Sequence, residues 1–177
     1  RIEAGKRMMR RHRDLLESIR KKYGVQPRFL VALWGIESRY GERMGDHRVV
    51  DALVTLAYDG RRGEFFRREL LNALHILEER HVEADRMLGS WAGAMGQMQF
   101  MPSTFRSYSV DFDGDSRSDL WGNTQDALAS AANYLARSGW RGDQTWGRPV
   151  LLPDGFDPSL VAKDVKRTIP RWAALGV

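Results

Sequence analysis

A chain of 177 residues without a cysteine can bury one substantial core, and it excludes disulfide staples, thiol nucleophiles and thiolate metal centres. Its formal net charge of +5 favours an anionic partner, and no apolar run is long enough to span a bilayer as a helix. It carries neither a Cys/His finger nor an aromatic-glycine ribonucleoprotein signature, so nucleic acid is not expected among its partners.

Residues 3–23 read as one amphipathic helix. Met8, Met9, Leu15, Leu16 and Ile19 fall on or near one face, Arg and Lys fill the other, and Gly24 ends it. Pro27 suits the first turn of a second helix, whose apolar residues cover almost every face from Phe29 to Ile36, with Gly41 as its stop. Such a helix belongs in the core. It carries one acid, Glu37, near its C-terminal end. Burial and the negative end of the helix dipole both raise a carboxyl pKa, and an acid kept protonated near neutral pH is what general acid catalysis needs. The alternative is a rim glutamate paired with Arg39 or Arg43.

Asp46 and His47 form a short polar connection. Residues 49–58 read as a helix with Val50, Leu53, Val54 and Ala57 at helical spacing, closed by the Asp59-Gly60 turn. Residues 61–81 give another, with an apolar stripe of Phe65, Phe66, Leu70, Leu71, Leu74 and Leu77. His75 and His81 lack the spacing of a helical metal pair and read as surface or satisfied histidines.

From Gly89 to Ser103 small residues, amides and apolar residues interleave. Glycines permit close approach of a ligand, and Gln97 and Gln99 offer the donors and acceptors that sugar hydroxyls and acetamido groups require. The alternative is a buried loop whose amides satisfy its own backbone. Pro102 starts a short helix through Tyr108. Asp111, Asp113, Asp115 and Asp119 then occupy the first, third, fifth and ninth positions of an EF-hand-like loop, with Asp126 as a later closing ligand. Ser116 and Gly122 depart from the glycine and glutamate of the standard loop, and an acidic surface turn is the alternative. Asn123 or Thr124 caps a helix to Arg137, with Leu128, Ala131, Tyr134 and Leu135 inward, and Gly139 ends it. The stretch from Trp140 to Pro158 reads as irregular with a short strand at 150–152. A helical turn at 160–163 follows, then a last helix from Ile169 capped by Thr168. The expectation is a mainly α chain with little β-structure, one domain over residues 1–177, and a small lobe around the loop at 111–126.

Three landmarks stand in order: Gly35-Ile36-Glu37-Ser38-Arg39-Tyr40-Gly41; Ser90-Trp91-Ala92-Gly93-Ala94-Met95-Gly96-Gln97-Met98-Gln99-Phe100-Met101-Pro102-Ser103; and Asp111-Phe112-Asp113-Gly114-Asp115 with Asp119-Leu120-Trp121 and Asp126-Ala127. Together they resemble the B-type lytic murein transglycosylases, lysozyme-like bacterial enzymes that cleave peptidoglycan. Val50-Asp51-Ala52-Leu53 and Ala132-Asn133-Tyr134-Leu135 extend the likeness over nearly all of the chain. The resemblance implies a lysozyme-like helical domain in which Glu37 is the single catalytic acid and base. It implies that Ser90 and Gln99 line the sugar cleft, Ser90 on the acetamido group of the muramic unit. Tyr134 would form cleft wall, and Arg61 and Arg62 a basic pair facing the cleft. It implies a structural calcium on Asp111, Asp113, Asp115 and Asp126 with the Arg117 carbonyl, Asp113 standing where the family commonly has Ser. The chemistry itself needs no cofactor.

The implied partner is a peptidoglycan glycan strand, and the implied setting is the periplasm. A monomer is expected. Arg1 reads as helix interior, so the natural N-terminus, with any membrane anchor, is expected upstream. A later family segment supplying an Asn and a Tyr to the cleft has no counterpart here. One carboxylate suffices for such an enzyme because the nucleophile is the substrate's own C6 hydroxyl, whose effective concentration is high. Two alternatives stay open. One is a muramidase in which Asp46 or Asp51 activates water; the other is a non-catalytic wall-binding module.

Overall fold

Eight helices and one two-residue ladder make up the computed structural model, which describes residues 2–144 and 147–177. The chain, read from its sequence as one domain, groups into two compact units, one ending at Gly142 and the other running from Asp143 to Val177. Arg1, expected inside the first helix, and positions 145 and 146 of the expected irregular stretch lie outside the described residues.

The first unit opens with α1 (Ile2–Arg11) and α2 (Arg13–Tyr23). The single helix expected over residues 3–23 is interrupted at His12, whose φ of −109° and ψ of 26° leave the helical range. The ring of His12 stands edge-on to Trp34, with centroids 5.4 Å apart, so the break lies over an aromatic contact. Gly24 ends α2 with φ 71°, its N–H on the Arg20 carbonyl. α3 (Pro27–Ser38) follows, then β1 (His47–Arg48), α4 (Val49–Asp59) and α5 (Gly63–Glu78). β1 pairs antiparallel with β2 (Leu88–Gly89), His47 opposite Gly89 and Arg48 opposite Leu88. This short ladder ties the entry to α4 to the glycine-rich segment. α6 (Pro102–Tyr108) and α7 (Thr124–Arg137) complete the unit.

α7 lies at the centre, packed against α2, α3 and α6. Every residue from Asp126 to Ala132 is buried, not one face alone. Alanine makes this possible, because a helix of small side chains admits neighbours on all sides. Asn123 caps it, its side chain accepting from the N–H groups of Gln125 and Asp126. Tyr134, expected inward, is 39% exposed.

α5 differs from its expected stripe. The buried positions are Phe66, Glu69, Ala73 and Ile76, while Leu71 and Leu74 face solvent. The spacing is helical but the face is turned, because a carboxylate holds the centre of it. Glu69 accepts the N–H of Ser103 at 2.8 Å and its hydroxyl at 2.7 Å, so the α6 N-terminus is capped from another helix. His81 is a satisfied histidine: its Nδ1 accepts the N–H of Ser118 at 3.1 Å.

In the second unit none of the described residues is fully buried. Its regular structure is a 3-10 turn at Pro158–Leu160 and α8 (Ile169–Ala173), with Thr168 at the N-cap position. The strand expected at 150–152 does not form. Those residues are exposed, and no described chain segment pairs with them. The helical turn expected at 160–163 lies two residues earlier, where Asp157 accepts the N–H of Ser159.

Candidate active site

α3 ends in a run of left-handed backbone that fixes where Glu37 points. Arg39, Tyr40 and Gly41 take φ values of 53°, 64° and 86°. The helix therefore stops at Ser38, earlier than the glycine signal indicates. Tyr40 donates its N–H to the Trp34 carbonyl at 3.1 Å, and Arg43 to that of Ser38 at 2.8 Å. The buried Ser38 hydroxyl accepts the N–H of Gly41 at 2.9 Å. The chain reverses so tightly that the Tyr40 ring lies against the helix at Gly35. A β-carbon there would stand 2.7 Å from the ring, so any larger residue would have to displace Tyr40.

Glu37 is exposed by accessible surface, not buried in the core as its sequence setting suggests. The fully buried residues of α3 are Leu30, Val31, Trp34 and Ser38, and Ile36 is 71% exposed. The core thus takes one face of the helix, and Glu37 stands on another. Desolvation by the walls around it still raises its pKa above the ordinary glutamate value. Among the described residues it has no hydrogen-bond or ion-pair partner, so the expected alternative of a pair with Arg39 or Arg43 is not formed.

Two cavities meet at Glu37. One, of about 290 Å³, brings it together with Gln99, Tyr134, Leu33, Met98 and Thr104. The other, of about 550 Å³, is walled by α1 and by the turn from Arg39 to Arg43. Two expected cleft residues thus share a pocket with Glu37. No motif chemistry marks Leu33, Met98 or Thr104 as lining. Their signal is position alone, one turn from Glu37 or beside Gln99 and Pro102.

Gln99 adopts φ 49° and donates its amide to the carbonyls of Met44 at 2.9 Å and Gly96 at 3.0 Å. The amide group is thereby held rigidly at the pocket wall. Gln97, also expected on substrate, is drawn into the protein instead. It is 4% exposed, donates to the Trp121 carbonyl at 3.2 Å and accepts from the Thr124 hydroxyl at 3.5 Å. Gly96, with φ 66°, has no room for a β-carbon against the Leu120 carbonyl, so the loop is pinned to the segment before α7. Ser90 does not line either cavity at Glu37; its hydroxyl accepts from the N–H groups of Ala92 at 3.3 Å and Ala94 at 3.0 Å. Arg61 and Arg62 lie at the α4–α5 turn and line neither cavity. Arg62 stacks over Phe65, 4.3 Å from the ring centroid. Asp46 and Asp51 are also outside both, Asp51 lying 3.6 Å from Arg48.

The aspartate loop converges as its spacing suggests. One carboxylate oxygen from each of Asp111, Asp113 and Asp115 lies within 4.8 Å of the others. Oxygens on opposite sides of a calcium ion stand about 4.6–5.2 Å apart, so these hard donors fit that cation. Ser116 takes φ 73°, supplying the left-handed bend that glycine gives the standard loop. Asp111 accepts the N–H groups of Gly114 and Ser116 at 2.7 and 2.8 Å, and Asp115 accepts that of Arg117 at 2.9 Å. Asp126 does not join the convergent three. Fully buried, it accepts the N–H of Phe112 at 2.8 Å through one oxygen and that of Asp119 at 2.9 Å through the other.

A family profile described as Transglycosylase SLT domain matches residues 1–177. The chain is 37% identical over 182 residues to membrane-bound lytic murein transglycosylase B of Escherichia coli K12, covering 99% of this chain and 48% of that protein. The crystal structure of SltB3 from Pseudomonas aeruginosa in complex with NAG-NAM-pentapeptide superposes with a TM-score of 0.96 at 47% identity, over 99% of this chain and 47% of that one. The Escherichia coli lytic transglycosylase Slt35 in complex with calcium matches with a TM-score of 0.77 at 38% identity, over 81% of this chain and 46% of that one. The fold is that of the lysozyme-like lytic transglycosylases, mostly helical with minimal strand. The chain belongs to the transglycosylase SLT family, and it spans about half the length of these relatives.

Proposed function

We propose that this chain cleaves the β-1,4 bond between N-acetylmuramic acid and N-acetylglucosamine in peptidoglycan, leaving a 1,6-anhydro-muramic end. One observation carries the reading: Glu37, desolvated and without a partner among the described residues, is the single carboxylate of the pocket it shares with Gln99 and Tyr134. A raised pKa favours the protonated form that the first step needs, transfer of its proton to the glycosidic oxygen. The C6 hydroxyl of the muramic unit then attacks C1, and the Glu37 carboxylate takes the hydroxyl proton, which restores the acid. No second carboxylate is required, because the nucleophile is already part of the substrate. Gln99 orients the sugar and Tyr134 forms the pocket wall; Ser90 and the Arg61–Arg62 pair contribute farther along the strand. SltB3 was solved with both NAG-NAM-pentapeptide and NAG-anhNAM-pentapeptide, which supports the same substrate and product class here.

Calcium on Asp111, Asp113 and Asp115, with the Arg117 carbonyl, serves as a structural tie of the loop. Asp126 fixes the loop backbone around it. The substrate places the work in the cell envelope, on the periplasmic side, and the chain acts as a monomer. No helix among the described residues is long and apolar enough to cross a membrane.

The test is mass spectrometry of muropeptides released from purified murein by this chain and by Glu37→Gln. Anhydro-muropeptides from the first and none from the second are expected. Reducing-end products would assign a hydrolase instead, and binding without release would assign a wall-binding module.

A further inference from the structure

The pocket that Glu37 shares with Gln99 and Tyr134 holds one more polar group, the hydroxyl of Thr104 on α6. Thr104 is half-buried, and its hydroxyl has no partner among the described residues. A helical Ser or Thr hydroxyl commonly bonds the carbonyl four residues back. Ser18 does so to Asp14 at 3.0 Å and Thr55 to Asp51 at 2.8 Å. For Thr104 that carbonyl belongs to Phe100, and it accepts the N–H of Met95 at 2.8 Å instead. The fold therefore leaves the Thr104 hydroxyl uncommitted at the pocket wall.

The start of α6 explains its direction. Met101 at the N-cap makes no side-chain cap, and Ser103 is held against α5 by Glu69, which accepts both its N–H and its hydroxyl. Glu69 is buried, and no described cation pairs with it, so these charge-assisted bonds are its described polar contacts. Consecutive helical side chains are turned by about 100°. With Ser103 fixed on α5 and Phe105 fully buried, Thr104 is left to the pocket. The neighbouring groups need what it has. Gln99 spends its amide N–H groups on the carbonyls of Met44 and Gly96, so it offers the pocket an acceptor. The Glu37 proton is committed to the glycosidic oxygen. Tyr134 apart, the rest of the lining is apolar. A hydroxyl supplies the neutral donor that sugar oxygens require.

From this arrangement we infer that Thr104 is a substrate-contacting residue, donating its hydroxyl to an oxygen of the sugar beside Glu37, and that Glu69 is a positioning residue acting on it through Ser103. The inference rests on the proposed substrate. Thr104 takes no part in bond making or breaking; it holds the sugar in register with the acid.

The test is calorimetric binding of a GlcNAc-MurNAc tetrasaccharide to the Glu37→Gln protein, which needs no turnover. Adding Thr104→Val keeps the shape and removes the hydroxyl. It should weaken binding about tenfold. The melting temperature should be equal or higher, because a half-buried hydroxyl without a partner gives way to a methyl group. Thr104→Ser restores the hydroxyl and should recover most of the affinity. Ser103→Ala releases the clamp. It should weaken binding when added alone and have no further effect when added to Thr104→Val, a non-additivity that a purely structural serine would not produce. Undiminished affinity in Thr104→Val, or equal loss in Thr104→Val and Thr104→Ser, would overturn the contact. Additive losses in the Ser103→Ala pair would overturn the positioning role of Glu69. Failure of the reaction itself is read separately, as absence of anhydro-muropeptides from the unaltered chain.

Discussion

Two acidic regions of this molecule share a fold and use their carboxylates in opposite ways. At the end of α3, Glu37 is exposed, desolvated on its cavity sides and without a described partner. In the loop from Asp111 to Asp126 each of the five aspartates accepts at least one backbone N–H, and Asp126 is fully buried with both oxygens engaged. An acid tied to the backbone is architecture, because removing it leaves buried donors unsatisfied. An acid that the fold leaves unpaired is available for a proton transfer, and its cost in stability is tolerated for that reason.

That contrast predicts a separation of effects. Glu37→Gln should lower anhydro-muropeptide release by at least about 100-fold. The same variant should melt at an equal or higher temperature near neutral pH. A carboxyl whose folded pKa is raised costs stability once ionised; the cost is present above that pKa and disappears as pH falls through it. Asp126→Ala should do the reverse, losing about 2–4 kcal/mol in urea unfolding, because the part-buried N–H groups of Phe112 and Asp119 lose the buried carboxylate that accepts them. A stable Asp126→Ala protein would end the comparison.

Smaller effects sharpen it. Gln97→Ala should lower stability by about 1–2 kcal/mol, because its buried amide bridges the glycine-rich loop to Trp121. Gln99→Ala should chiefly raise KM or lower kcat, because this glutamine is the one that faces Glu37. The calcium effect is the mildest: at an ion concentration about ten times Kd the bound state gains about 1.4 kcal/mol, and a chelator should remove it as a fall of a few degrees in melting temperature. Activity measured well below that temperature should be unchanged.

Much of this was legible in the sequence, and the failures have physical causes. Helical spacing locates α4, the Asn123 or Thr124 cap with its inward apolar residues locates α7, Pro27 with its apolar run and Pro102 mark the starts of α3 and α6, and aspartate spacing locates the loop whose three carboxylates converge. The end of α3 was read two or three residues late. Arginine and tyrosine seldom adopt positive φ, so nothing local signals that Ser38 and Gly35 make the reversal possible. The buried face of α5 departs from its apolar stripe because its centre is Glu69, whose partner Ser103 lies 34 residues away. Gln97 and Gln99 looked equivalent. The positive φ of Gly96 and Gln99 sends one amide inward and leaves the other at the pocket, a decision of backbone geometry that residue type does not encode. The strand at 150–152 failed because β-propensity without a partner strand does not make a ladder.

The central claim is that one desolvated carboxyl, Glu37, is both acid and base. The most direct measurement is kcat/KM for anhydro-muropeptide release against pH, over the range in which the fold is intact. Glu37 must be protonated in the free enzyme, so activity should fall on the alkaline side with a midpoint above the ordinary glutamate value of about 4.3, with no acid-side limb from a second carboxylate. A bell-shaped profile with two carboxylate limbs, or a midpoint at or below the ordinary value, would contradict it.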